Sequence, residues 1–312
     1  MTKLIIQIPC YNEGMCLEQT LNELPKQING ISDIEILVIN DGSTDNSSQI
    51  ANNFGASVIE IKPNKGLANA FRVGLQEALQ RGADIIVNTD ADNQYNAKDI
   101  EKIVKPILNK DADIVIGARD ILSIKEFSVL KKILQKLGSA ILRLLSSTRV
   151  EDAPSGFRAF SKQAAIRLNV FDNYTYTIET IIQAGAKGLR VQSVPISVNP
   201  ATRKSKLVKN MFDYIFKSLK TTVRMFIVYR PFRFFISIAA LFGIIGLIII
   251  CRFLYYYFGG NGNGHIQSLI FAAIFLISSV QLVIIAIIGD LLSINRKLLE
   301  DIQTRIRNIE LR

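Results

Sequence analysis

The stretch that decides the fold is Ile85-Ile86-Val87-Asn88-Thr89-Asp90-Ala91-Asp92-Asn93-Gln94. Its opening, a short β-branched apolar run, reads as a buried parallel strand. Two carboxylates one residue apart, just past such a strand, fall at the carboxyl edge of an open α/β sheet, where ligands bind. Alternation along an extended chain puts Asp90 and Asp92 on one side, with Gln94 next in phase. Hard oxygen donors offered in this way suit Mg²⁺ or Mn²⁺, held jointly with substrate phosphates. The residues alone leave two readings open, a divalent ion gripping a diphosphate and an acidic turn after a strand.

The neighbouring sequence supplies the context. Leu4 to Pro9 reads as a first strand, interrupted by Gln7 and followed by Cys10-Tyr11-Asn12-Glu13 and a helix from about Met15 to Leu24. Ile34 to Ile39 reads as a second strand, ending in Asn40-Asp41-Gly42-Ser43-Thr44-Asp45. Ser43 or Thr44 is placed to cap the helix that runs through Phe54. Ser57 to Ile61 is a third strand, and Asn64-Lys65-Gly66 leads into a helix through Arg81. After the strand at Ile85 to Asn88 come a helix at Ala97 to Leu108 and a strand at Ile114 to Ile116, ending in Gly117-Ala118-Arg119. Repeated strand–helix alternation predicts a mostly parallel sheet with helices on both faces. The polar clusters fall at strand carboxyl ends, which favours a nucleotide site.

Composition narrows the chemistry. The chain has 312 residues, 49% of them hydrophobic, and a net charge of +10, and neither property is evenly spread. Residues 1–200 read as an α/β domain, 203–233 are strongly basic, and 234–288 are almost wholly apolar. Basic charge beside apolar spans points to anionic lipid rather than nucleic acid. The single histidine, His265, lies between the apolar spans, so histidine acid–base chemistry is not expected at Asp90. Cys10, Cys16 and Cys251 show neither metal spacing nor a disulfide framework, and Cys10 has no histidine to activate it.

Five segments together resemble the motif series of the family-2 glycosyltransferases. They are Pro9-Cys10-Tyr11-Asn12-Glu13, Asn40 to Asp45, Asp90 to Gln94, Gly117 to Arg119, and Ser155-Gly156-Phe157-Arg158. The likeness is strongest to the branch containing dolichol-phosphate mannose synthase and bacterial polyprenyl-phosphate glycosyltransferases. It implies a GT-A fold, a nucleotide-sugar donor, Mg²⁺ or Mn²⁺, and a polyprenyl-phosphate acceptor. It also implies that Asp41 contacts the nucleoside, with Pro9, Tyr11 and Glu13 lining the pocket. Asp90, Ala91, Asp92 and Gln94 are then the diphosphate and metal group. Lys65 is either a phosphate contact or a solvated loop lysine, and Arg119 is the better phosphate candidate because its fork matches phosphate oxygens. Asp152 matches a position proposed as base, although a phosphate monoester, with a second pKa near ~6, needs no proton removed. Asp152 is alternatively expected to orient Arg158, which the resemblance places in the acceptor-side loop among the catalytic residues, or to shape the sugar site. Glu179 is either a sugar-side residue or a favourable first-turn acid. Arg203 and Lys206 lie in a basic loop expected to close over donor and acceptor phosphates. UDP-glucose is the first expectation for the donor, with UDP-N-acetylglucosamine and GDP-mannose open, and the resemblance suggests a homotetramer.

The remaining sequence reads as a membrane anchor. Residues 127–146 form a basic amphipathic helix expected to pack on the sheet. In 206–231, Met211, Ile215, Leu219, Val223, Phe226 and Ile227 recur at helical spacing among Lys209, Lys217, Lys220 and Arg224, as in an interfacial helix on anionic headgroups. Residues 232–258 and 266–289 are each long enough to cross a membrane. Their connection lacks Lys and Arg while both outer flanks are rich in them, which predicts a hairpin with both ends cytoplasmic in the cell membrane. The tail, 290–312, has an apolar stripe at Leu291, Ile294, Leu298, Ile302, Ile306 and Ile309, for a neighbouring subunit or the membrane surface. The rivals are a processive polysaccharide synthase, a non-catalytic scaffold and a transferase to a hydroxyl acceptor. The first is disfavoured because its Gln-x-x-Arg-Trp motif needs a tryptophan, which this chain lacks. Intact Asp90, Asp92 and Gln94 argue against the second, and the third would raise the importance of Asp152.

Overall fold

The computed structural model describes residues 2–120, 138–140, 142–143, 146, 148–171, 176–200, 211–260 and 266–311, with side chains from 219 onward in the segment beginning at 211. Two compact units emerge, Met1–Thr222 with Thr304–Arg312, and Val223–Gln303.

The first unit is built on a seven-stranded sheet. Its strands are β1 (Lys3–Cys10), β2 (Asp33–Asn40), β3 (Ser57–Glu60), β4 (Ile85–Asn88), β5 (Ile114–Arg119), β6 (Arg158–Ser161) and β7 (Val191–Ile196), in the order β3-β2-β1-β4-β6-β5-β7. Helices α1 (Gly14–Glu23), α2 (Ser47–Phe54), α3 (Leu67–Gln80) and α4 (Ile100–Leu108) connect the early strands, and a short 3₁₀ turn at Ala97–Asp99 precedes α4. The apolar runs of β1 and β4 are buried because they pair in the middle of the sheet, with Leu4 opposite Ile85 and Gln7 opposite Asn88. On one face Leu4, Ile6 and Ile8 join Leu17 and Leu21 of α1 and Ile100, Ile103 and Val104 of α4 in a single core. On α3, Gly74 is small of necessity, because a Cβ there would lie 2.7 Å from both Gln7 Oε1 and Ile39 Cδ1.

The sheet is mostly parallel, as expected, and the exception is β6, which runs antiparallel to both β4 and β5. Its four residues, Arg158-Ala159-Phe160-Ser161, are too short to show a periodicity, and they become a strand only by filling the slot between two others. The expected cap from Ser43 or Thr44 is also absent. Helix α2 starts at Ser47, whose N–H and hydroxyl both bond Asp45 Oδ1, while Ser43 and Thr44 turn to Asn12. Helices α5 (Lys162–Arg167) and α6 (Tyr176–Ala186) follow β6, and α7 (Met211–Tyr229) follows β7. Most of 127–146 lies outside the described residues.

The second unit contains α8 (Pro231–Phe258) and most of α9 (Ile266–Glu310). Both helices are long and apolar enough to cross a membrane, with peak mean hydropathies of 2.9 and 2.7. They meet through small residues. Ser279 donates to the Ala239 carbonyl at 2.8 Å, and a Cβ at Gly246 would lie 2.9 Å from Leu276. Outward-facing Leu241, Ile248, Ile277 and Val280 are each more than half exposed, as an acyl environment requires. The tail segment, as far as Glu310, is the unbroken continuation of α9.

Candidate active site

The loops after β1 and β2 are stitched into one edge. Asn12, in the left-handed region at φ 54°, donates its N–H to Ser43 Oγ at 2.9 Å, and its Oδ1 accepts from Thr44 N at 2.7 Å. Glu13 N donates to Ser47 Oγ at 3.0 Å, and Gly14 N to Asp45 Oδ2 at 3.0 Å. Asp41 closes the same edge from below. Its carboxylate accepts from Lys65 N at 2.9 Å and Gly66 N at 2.7 Å, and its carbonyl accepts from Asn64 Nδ2 at 2.8 Å. Asp41 therefore fixes the loop that opens α3, with Lys65 itself exposed. Tyr11 is 44% exposed, whereas Pro9 is buried within β1. Burial pushes the Cys10 thiol up to about 11, consistent with a packing role.

The Asp90–Gln94 segment is a turn, which corrects the expectation of an extended strand end. Asn93 takes a left-handed conformation at φ 55°, the Ala91 carbonyl accepts from Thr20 Oγ1 at 3.0 Å, and Asp92 Oδ1 accepts from Gln94 N at 3.2 Å. The two carboxylates nevertheless remain close enough to repel. Burial, then the charge of Asp92, and to a smaller extent Glu13, raise Asp90 to about 7, while Arg119 pulls the other way. Glu13, Asp90, Asp92 and Arg119 thus share one electrostatic neighbourhood.

This donor set fits a divalent cation. A partly buried carboxylate such as Asp90, whose charged form burial and a neighbouring carboxylate disfavour, is what an added cation stabilises. On one side the carboxylate is closely backed by Gly156, where a Cβ would lie 3.1 and 3.2 Å from its two oxygens. Among the described residues no group of three or more His, Cys, Asp or Glu side chains forms a complete protein cage. Two carboxylates can hold such an ion together with phosphate oxygens supplied by a substrate. Gln94 is half-buried, and its backbone carbonyl accepts from Asn199 N at 2.8 Å.

Asp152 is paired with Arg119. The guanidinium grips it with Nε at 2.6 Å and Nη2 at 3.1 Å, and Arg119 N adds a third bond at 3.3 Å. Asp152 is buried and Arg119 nearly so; burial by itself would lower the Arg119 pKa, but Tyr95, Asp152 and Asp90 outweigh it and raise the pKa, so the guanidinium stays cationic. The expectation that Asp152 orients Arg158 is corrected, because its hydrogen bonds go to Arg119.

Arg158 is fully buried, and its guanidinium donates to the carbonyls of Ser155, Thr177 and Ala153 and to Thr180 Oγ1. Burial lowers its pKa to about 10. It braces the 153–158 turn against α6 and presents no open face to a substrate, a correction to its expected place at the reacting groups. Glu179, 1% exposed, accepts from Phe171 N with both oxygens, at 3.2 and 3.0 Å, and from Gln183 Nε2 at 3.3 Å. The geometry supports the structural reading of that residue. Arg203 and Lys206 lie outside the described residues.

The sequence reading missed Asn88, Tyr95, Gly156 and Tyr176 as contributors to the site. One signal was present. Gln7 and Asn88 each interrupt an apolar strand, and in register they are partners, with Gln7 Nε2 donating to Asn88 Oδ1 at 2.9 Å.

Comparison with known proteins accords with this geometry. The family model described as Glycosyl transferase family 2 matches residues 5–168. A UDP-N-acetylglucosamine–dolichyl-phosphate N-acetylglucosaminyltransferase of Methanococcus voltae is 36% identical over 212 residues, covering 61% of this chain and 82% of the relative. An undecaprenyl-phosphate mannosyltransferase of Micrococcus luteus is 26% identical over 206 residues, covering 62% and 83%. Among solved structures, glucosyl-3-phosphoglycerate synthase of Mycobacterium tuberculosis, bound to Mn²⁺ and uridine diphosphate, superposes with a TM-score of 0.56 at 18% identity, covering 72% of this chain and 79% of the other. That likeness shows the GT-A fold. The motif series, the sheet and the family match converge on one statement: the chain is a glycosyltransferase and belongs to glycosyl transferase family 2.

Proposed function

We propose that this protein is a membrane-anchored, inverting transferase that moves a hexose from a uridine-diphosphate-linked donor to polyprenyl phosphate at the cytoplasmic face of the cell membrane. The observation that carries the reading is the Asp90–Asp92 pair beside the buried Arg119, in one chain with two helices of membrane-crossing length. The relatives named for dolichyl phosphate and undecaprenyl phosphate acceptors support the acceptor class.

In the proposed reaction an acceptor phosphate oxygen attacks the anomeric carbon. The new C–O bond forms as the bond to the diphosphate oxygen breaks, and nucleoside diphosphate leaves with the electron pair. A divalent ion at Asp90 and Asp92 would supply charge neutralisation for that leaving group. Arg119, held cationic and aimed by Asp152, stabilises the same developing charge. Asp152 serves the fork that grips it, and the acceptor, already largely dianionic at neutral pH, needs no base. Tyr11 and the Asp41-fixed loop form the nucleoside end.

The test is a panel of labelled donors (UDP-glucose, UDP-N-acetylglucosamine and GDP-mannose) offered with undecaprenyl phosphate to detergent-purified protein. The reading predicts label in the lipid from a UDP-linked sugar, with inverted anomeric configuration. Label confined to water-soluble products, or a retained configuration, would overturn it.

A further inference from the structure

Gly156 is held from both sides by side chains of other elements. Its N–H donates to the Tyr95 hydroxyl at 3.0 Å, and its carbonyl accepts from Asn88 Nδ2 at 2.9 Å and from the Tyr176 hydroxyl at 3.3 Å. Asn88 Nδ2 also donates to the Tyr176 hydroxyl at 2.8 Å. Each tyrosine is locked by a ring partner, Tyr95 on Phe157 with centroids 5.1 Å apart and Tyr176 on Phe71 at 3.9 Å. Asn88, Tyr95 and Tyr176 are at most 6% exposed.

Simple satisfaction of one buried peptide needs one donor and one acceptor. Here three side chains, from β4, the loop after it and α6, converge on a single glycine. What that glycine touches explains the effort. Its Cα faces the Asp90 carboxylate so closely that a methyl group would stand 3.1 and 3.2 Å from the two oxygens, and 2.9 Å from the Tyr176 hydroxyl. Where the Gly156 peptide sits therefore limits where the carboxylate can sit.

We propose that Tyr95, Tyr176 and Asn88 are positioning residues for Asp90: by clamping the Gly156 peptide they form a backstop that aims the carboxylate at the divalent ion. The inference rests on the reading of Asp90 and Asp92 as ion ligands. Groups that orient a ligand without touching the metal commonly change its affinity about 10–100-fold when lost.

The experiment uses full-length detergent-purified protein titrated with Mn²⁺ alone, following loss of the free-ion electron paramagnetic resonance signal. Tyr95→Phe and Tyr176→Phe each remove one hydroxyl and keep the ring. Gly156→Ala pushes on Asp90 directly. Ile103→Val, a core change in α4, controls for general loss of stability. The inference predicts that each tyrosine variant weakens manganese binding about 10-fold, that Gly156→Ala weakens it at least as much, and that Ile103→Val leaves it unchanged. Wild-type affinity in both tyrosine variants, or an equal loss in Ile103→Val, would overturn the inference while leaving the metal reading intact. No manganese uptake by the unaltered protein would overturn the metal reading and this inference with it.

Discussion

Asp90 must carry charge in a place that disfavours it. Burial and the neighbouring Asp92 lift it to about 7 from an ordinary 3.8, so in the metal-free protein the protonated form is favoured on folding. The sign follows from linkage. Its contribution to stability is fully present below about pH 4 and is lost as pH rises through about 7. Relative to Asp90→Asn, metal-free wild-type protein should therefore lose thermal stability between those values. Melting curves of both proteins in chelator check this, and a flat difference would contradict it. Asp152→Asn removes the charge that neutralises a buried guanidinium and should destabilise the fold by about 3 kcal/mol. Activity should fall and stay low at alkaline pH, because no base has been lost; recovery on raising the pH would indicate acid–base chemistry. The sequence exposed the identity of these groups but not their pairing. Asp152 and Arg119 are separated by the segment 120–151, and only the folded sheet sets one guanidinium across one carboxylate. Arg158 misled for the same reason, since an arginine in a polar motif gives no hint that backbone carbonyls will enclose it.

At the scale of elements, legibility followed periodicity. Strands β1, β2 and β4 announced themselves by apolar runs, and α8 and the start of α9 by their length. Strand β6 did not, because its place depends on the gap between β4 and β5 rather than on its own residues. The turn at Asp90–Gln94 was misread as extended because a single left-handed asparagine, Asn93, redirects it. The packing of α8 on α9 gives its own prediction. Gly246 lets Leu276 approach to 2.9 Å from where a Cβ would stand, so Gly246→Leu overpacks the contact. A loss of about 2 kcal/mol is expected, read as a lower midpoint of thermal unfolding in detergent, with Leu241→Ile at an outward-facing position as a comparison. Equal midpoints would contradict a close helix contact.

For the whole molecule, the proposed topology rests on charge distribution and apolar length. The positive flanks predict a hairpin whose connection faces outward. In a Cys251→Ser background, Asn263→Cys should react with an impermeant thiol reagent on intact cells, and Asn308→Cys only after permeabilisation. The opposite pattern would invert the proposed topology. The central claim, metal-supported transfer to a lipid phosphate, is tested most directly by labelled sugar entering undecaprenyl phosphate with purified wild-type protein and Asp92→Ala side by side, with and without Mn²⁺. The account predicts manganese-dependent label in the lipid for wild type and at least a ~100-fold loss for the variant at every ion concentration, the size expected when transition-state charge goes unneutralised. Near-normal transfer by Asp92→Ala, or lipid labelling indifferent to the metal, would contradict it.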